Sequence, residues 1–264
     1  MIADRTAFEP GAELQRAAEL LIKYWLLAIP TAVASVAFVV IIIATVIGVI
    51  ASVFVGHATG GHAGAGIAIG SGILLALGMC FVGSAVLYIA QGMVMAAAPA
   101  VLEDRQPDLG AALSATLRRL PDLLLAGIAS LGLAIIPLLL CIVLIGFPLL
   151  LILGYFLMYV PAAVVVGGEG GIAAIGTSFR LTTRYVGESL IGWLGLMLAM
   201  VAGSVANSIA IHIPGLNLVA AFVIGGFTSA YSALVSVRFY LALRDRPVQP
   251  SPPPLLGGPP TVIS

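Results

Sequence analysis

Between Lys23 and Glu103 the chain carries no formal charge, and between Asp122 and Glu169 it again carries none. A helix in water needs a polar face, and runs this long have no room for one. A bilayer removes the requirement. Crossing a hydrocarbon layer of about 30 Å takes about 20 apolar residues, and backbone polar groups in lipid must be satisfied within the segment. Runs this long therefore read as helices rather than barrel strands.

Composition agrees. The chain of 264 residues is 61% hydrophobic and only 8% charged, against roughly 45–50% apolar for a soluble domain. That excludes an ordinary water-soluble enzyme fold and, from the other direction, disorder. The 11 cationic and 11 anionic side chains cancel, so no basic surplus exists for nucleic acid.

Six apolar runs can be counted, at about 25–54, 67–99, 123–144, 148–167, 189–211 and 218–241. The Gly/His-rich stretch 56–66 separates the first two. The block 123–168 is too long for one span, and Ile145, Gly146, Phe147 and Pro148 mark its division, since Gly and Pro punctuate helices. Pro137 is a competing break and reads as a kink. Residues 1–246 form one polytopic domain. Residues 247–264, dense in proline, read as a disordered tail of extended type. Cys80 and Cys141 stand alone in apolar runs and read as packing residues. The N-terminal segment has charges too many, and a following apolar run too long, for a secretory signal.

Sorted by loop, all eleven cationic residues fall on one side. Arg5, Arg16 and Lys23 precede the first span. Arg105, Arg118 and Arg119 separate the second from the third, and Arg180 and Arg184 the fourth from the fifth. Arg238, Arg244 and Arg246 end the sixth. The acids share those segments. Positive charge stays cytoplasmic, so both termini are expected in the cytoplasm and the protein in the cell membrane. Ion-coupled carriers usually keep ionisable groups inside the bundle. Arg238 is the only candidate here, and it is expected to snorkel to the interface.

Each pair of spans has a cytoplasmic amphipathic prelude. In the first, Leu14, Ala17, Ala18, Leu21 and Trp25 share a face, and Glu19 and Lys23 are spaced for an i,i+4 pair. In the second, Leu109, Leu113, Leu117 and Leu120 form a stripe. In the third, Ile172, Ile175 and Phe179 do so. Interfacial helices of this kind set basic groups against anionic headgroups, which marks Arg16, Lys23, Arg118, Arg119, Arg180 and Arg184 as a candidate anionic-lipid interface. A plain connector helix is the alternative. The fold class is thus all-α integral membrane, with six transmembrane helices, interfacial helices and three helix-hairpin pseudo-repeats. A faint echo of Tyr88–Pro107 in Tyr231–Pro247 accords with the repeat.

After the fourth span come Pro161, Glu169, Ser178 and Leu181 with intervening small residues, and the sixth span closes on Tyr240, Leu243 and Arg244. This pattern, over roughly residues 85–246, resembles the group of prokaryotic membrane proteins that includes the glycerophosphoryl diester phosphodiesterase membrane domain and the YciC-like proteins. The resemblance implies a six-helix membrane domain without a catalytic site. The phosphodiesterase activity in that name belongs to a separate soluble barrel, absent from this chain. Pro161, Glu169, Ser178, Tyr240 and Arg244 are then structural. Glu169 is expected to accept bonds from the backbone amides that open the following helix, and Ser178 to bond a neighbouring backbone carbonyl.

No residues are assigned to catalysis, a metal or a cofactor. His57, His62 and His212 lie on the outer side without an acidic ligand, and no phosphate-loop, nucleophile-elbow or zinc-helix motif is present. Glu103, Asp104, Arg105 and Asp108 read as a solvated loop. The preferred function is a non-enzymatic scaffold or accessory factor. Its expected partners are membrane lipids and a membrane protein or a second copy, since glycines in the spans favour close helix contact. A permease or flippase-like protein for a neutral or lipidic solute is the alternative, and a continuous polar cavity would support it. A membrane-embedded enzyme of lipid metabolism would need carboxylates or histidines converging at the rim.

Overall fold

The structure is a computed structural model describing residues 9–141, 144–210, 212 and 217–246, without the side chains of 56, 57, 59–69, 73, 77, 80, 217 and 218. The proline-rich tail, and the side chains of His57, His62 and Cys80, lie outside the described residues. Every regular element among those residues is helical. In chain order they are α1 (Pro10–Lys23), a 3-10 turn (Trp25–Leu27), α2 (Ala28–Leu102), α3 (Leu109–Arg118) and α4 (Leu120–Leu140). Then follow α5 (Gly146–Leu157), α6 (Val160–Val165), α7 (Gly171–Arg184), α8 (Val186–Ala210) and α9 (Asn217–Arg244). Six stretches are long and apolar enough to cross a membrane: Trp25–Val55, Gly70–Leu102, Leu120–Leu140, Gly146–Val165, Val186–Ala210 and Val219–Arg244. The chain is an all-α, six-helix protein of membrane type.

Straight, the 75 residues of α2 would reach about 112 Å at a rise of about 1.5 Å per residue. Instead its two ends meet. Lys23 Nζ is 2.6 Å from Asp104 Oδ1, and Thr31 and Gln91 both reach α9, at Gly226 and Ser229. A methyl group on Gly72 would stand 3.3 Å from Ser52 Oγ, and one on Gly83 2.6 Å from the Phe38 ring. Helix α2 is therefore two antiparallel arms that reverse between residues 52 and 72. The glycine-rich stretch 56–66 lies within the reversal, but helical backbone continues through it, where the sequence suggested a break.

The division of the third apolar block depends on one glycine. Helix α4 ends at Leu140, Leu144 has φ +58°, and α5 starts at Gly146. A side chain at Gly146 would overlap the Pro137 carbonyl and the Cys141 backbone nitrogen, so only glycine lets α5 begin against the last turn of α4. Pro137 lies inside α4.

The packed core gathers at the end of the bundle that holds the charges. Ala97, Ala98, Val101, Tyr159, Ala163, Ala174, Val237, Phe239, Tyr240 and Leu243 are buried there, under α1, α3 and α7. Farther along the spans, Ile43, Ile47, Leu131, Ile135, Leu198, Val201 and Val205 point outward. A contiguous apolar surface of this extent is an aggregation surface in water. In lipid it carries no penalty.

The amphipathic helices pack through faces that their leucine stripes only partly foretell. In α1, Ala17 and Leu21 of the apolar face are buried against the bundle, but Trp25, 55% exposed, turns away from them. In α3 the buried pair is Ala112 and Thr116, while Leu113 and Leu117 are exposed. Thr116 packs where Gly92 leaves room. In α7 the packed face is Gly171, Ala174, Ser178, Leu181 and Thr182, and Ile172 is 66% exposed. Small residues win these faces because they admit the closest backbone approach. The larger apolar groups are left for lipid.

Candidate lipid-contacting sites

Ion pairs knit the charged end together. Lys23 at the end of α1 binds Asp104, which also accepts a 3.0 Å hydrogen bond from the Tyr24 hydroxyl. These donations, the Lys23 ammonium first, hold the Asp104 carboxyl below the ordinary carboxylate range, and Asp104 in turn raises Lys23. Lys23 therefore does not pair with Glu19, which instead accepts from Gln15. Asp104 has φ +60°, a left-handed conformation that Asp tolerates better than most residues. The remainder of its loop is ordered as well, with Asp108 capping α3 by accepting from the Gly110 and Ala111 amides.

Arg238 does not snorkel. It pairs with Glu13, and the two side chains are 11% and 22% exposed. With Tyr231 donating to the Leu14 carbonyl at 3.4 Å and Leu14 filling the space beside Gly195, this pair docks α1 on α8 and α9. Arg246 holds Glu188 at 2.6 Å.

The residues around Pro161 form a structural joint. Helix α5 stops before Pro161, which sits in the first turn of α6. Ser178 on α7 bridges the interruption: its hydroxyl donates to the Phe156 carbonyl at 2.6 Å and accepts from the Tyr159 amide at 3.2 Å. Glu169 does not cap α7, whose N-cap is Gly170 and whose first amides receive no side-chain bond among the described residues. It accepts instead from the Tyr240 hydroxyl at 3.4 Å, because Gly168, at φ +69°, turns the chain before it toward α9. A side chain at Gly167 would overlap that hydroxyl.

Beside this joint, between α7 and the end of α9, lies a polar hollow of about 360 Å³. Arg180, Arg184, Arg244 and Arg246 face it with Glu169, four cationic groups against one carboxylate. Arg246 is engaged by Glu188, and Arg180 donates to Thr177 at 3.3 Å. Arg184 and Arg246 each lie over the Tyr185 ring, at 5.5 and 5.7 Å, and Arg244 over Tyr240 at 5.9 Å. Stacking fixes guanidinium planes while leaving their donors free. Among the described residues no carboxylate forms an ion pair with Arg180, Arg184 or Arg244. Two of the sequence's candidate lipid-binding arginines, Arg180 and Arg184, thus meet one of its motif residues, Arg244. Arg16, Lys23 and Arg118 lie elsewhere on the rim, and Arg119 donates to the Gly168 carbonyl at 3.2 Å. Arg246 was not singled out from sequence, because only the fold turns it back toward α7.

A second hollow, about 580 Å³, runs along the seam of α8 and α9 and is closed at the back by Gln91, Gly154 and Met158. Among the described residues no ionisable group lines it. Ser204, Asn207, Thr228, Ser229 and Ser232 supply polar groups; Trp193, Leu196, Met197 and Met200 supply apolar ones. Gln91 donates to Ser229 at 3.4 Å. Sequence reading passed over Gln91 and Asn207, because single amides in apolar runs give no pattern until two helices bring them to one seam. His212 is exposed, with its ring nitrogen 2.8 Å from the Ser208 carbonyl, and no group of three metal-binding side chains occurs among the described residues.

Comparison with known proteins returned no matching family model, no matching curated protein and no matching solved structure.

Proposed function

We propose that the chain is a non-enzymatic multi-pass membrane protein, a scaffold or accessory factor that works through lipid contacts and lateral protein partners. The observation that carries this reading is the arginine hollow: three guanidiniums without a carboxylate partner among the described residues, at the end of the bundle where helices emerge from lipid. Planar guanidiniums bind phosphate oxygens in bidentate fashion, and an anionic headgroup supplies those oxygens. The one-sided charge supports a cytoplasmic location for this end and for both termini, in the cell membrane. The pattern from Pro161 to Arg244 supports kinship with the YciC-like group.

The test is lipid retention. Protein in nanodiscs of mixed phosphatidylglycerol and phosphatidylcholine should carry bound phosphatidylglycerol into native mass spectra. The variant R180Q/R184Q/R244Q should lose most of it. Equal retention by variant and wild type would overturn the reading. The neutral cleft favours a second reading, a permease or flippase-like protein for a neutral or lipidic solute. Flux of a fluorescent neutral lipid across proteoliposomes, above that of empty vesicles, would decide for it.

A further inference from the structure

The neutral cleft has polar and apolar halves arranged along its length. Helices α8 and α9 run antiparallel, with Gly192 against Phe239 and Gly203 against Thr228. On that register Ser204, Asn207, Thr228 and Ser229 lie toward the uncharged end. Trp193, Leu196, Met197 and Met158 lie toward the charged end. From Trp193 to Asn207 the cleft follows α8 for about 21 Å, more than the roughly 15 Å of one leaflet's hydrocarbon. It opens sideways, since Met200, Ser204 and Gly225 are exposed.

The polar groups are not all satisfied. Thr228 and Ser232 donate to carbonyls of their own helix. The Asn207 carboxamide and the Ser204 hydroxyl have no protein partner among the described residues. Asn207 lies three residues before the end of α8 at Ala210, at the depth where a lipid's polar head joins its tails, so its unpaired carboxamide is placed to take a hydrogen-bonding partner from the bilayer. An anionic or cationic ligand would enter a cleft with no counter-charge. A pure hydrocarbon tail would leave the amide unpaired.

We infer that this cleft binds one uncharged lipid, with a hydroxyl-bearing head of the diacylglycerol type hydrogen-bonded to Asn207, Ser204 and Gln91, and one tail laid along Met197, Leu196 and Trp193. Unbranched methionines at 158, 197 and 200 adapt to a flexible chain, and the volume lies in the usual range for a ligand pocket, about 300–1,000 Å³. The site is separate from the arginine hollow and requires no transport.

The experiment uses the full chain in nanodiscs with a diazirine-tailed diacylglycerol as probe, and a phosphatidylglycerol bearing the same tail as comparator. Labelled peptides are mapped by mass spectrometry. The neutral probe should concentrate on residues 193–207 and 221–232, at least fivefold over the outward faces around Ile43 and Leu131. Gly225→Leu fills open space, since nothing lies within 4 Å of a methyl there, and should reduce cleft labelling severalfold without unfolding the protein. N207L should weaken it less. R180Q/R184Q/R244Q should leave it unchanged, which separates this site from the hollow. Uniform labelling along all spans, labelling unaltered by Gly225→Leu, or equal cleft labelling by phosphatidylglycerol would each overturn the inference.

Discussion

Ser178→Ala is the sharpest test of the joint between α5, α6 and α7. The side chain is fully buried, and alanine fits the same space, so no clash confuses the result. What is lost is one hydroxyl serving two backbone groups, the Phe156 carbonyl at 2.6 Å and the Tyr159 amide at 3.2 Å. Neither gains another partner at the interruption before Pro161. Each buried group left unsatisfied costs about 1–3 kcal/mol, so losing two should destabilise the fold by about 2–6 kcal/mol. That is roughly a 30- to 20,000-fold change in the folded-to-unfolded ratio. Steric trapping in bicelles measures such a ratio directly. Ser178→Cys, which retains a weak donor and acceptor, should fall between. Ser208→Ala is the control: its exposed hydroxyl donates only to its own helix, at the Ser204 carbonyl, and the loss should stay within about 0.5 kcal/mol. A Ser178→Ala effect no larger than that of the control would refute the bridging role.

Further expectations concern the other close contacts. Gly171→Ala must force α7 away from α4, because the added methyl would meet the Asp122 carbonyl and stand 2.8 Å from the Ala126 nitrogen; thermal unfolding in detergent should show a marked loss. Gly176→Ala, in open space on the same helix, should gain about 0.5–1 kcal/mol. Glu13→Gln leaves Arg238 short of its partner and should cost about 1–3 kcal/mol, less than a fully buried pair because both groups keep some exposure. A double-mutant cycle with Arg238→Gln should recover part of that cost. Asp104, held below its ordinary 3.8, contributes to stability above that value and loses the contribution as pH falls through its lowered folded value. Lys23, raised above 10.5, contributes below that value and loses it as pH rises past its folded value. The tie between α1 and the α2–α3 connection should therefore hold from about pH 4 to 10 and loosen outside it. A spin-label distance between α1 and α3 would report this, and Asp104→Asn should abolish the acid limb.

Hydropathy and charge spacing were enough to read an all-α membrane protein of six spans, because burial in lipid imposes one simple demand, a stretch of about 20 uncharged residues. The demand is local, and composition answers it. The sequence also marked Arg180 and Arg184, with Arg16, Lys23, Arg118 and Arg119, as basic groups near span ends, while Arg244 was named only as a structural residue by the family resemblance. Which groups meet was not legible. Glu169 was expected on the amides of α7 and bonds Tyr240; Lys23 was expected on Glu19 and bonds Asp104; Arg238 was expected to reach headgroups and bonds Glu13. In each case a partner distant in sequence outcompeted the local one, because helix ends crowded together at the rim offer charged groups better geometry than a neighbour one turn away. The protein-packed faces of α3 and α7 were not legible either, since their large apolar stripes were expected in the interface and only the fold shows which residues turn inward. In a bilayer the large apolar stripe gains nothing by facing protein, so closeness of backbone decides, and that favours Ala112, Thr116, Ala174 and Ser178. The cleft of Gln91 and Asn207 exists only where α8 and α9 lie side by side. Segment by segment, the sequence settled what lies in lipid; the tertiary structure alone decided which polar groups find each other there, because pairing depends on distances between helices and not on order along the chain.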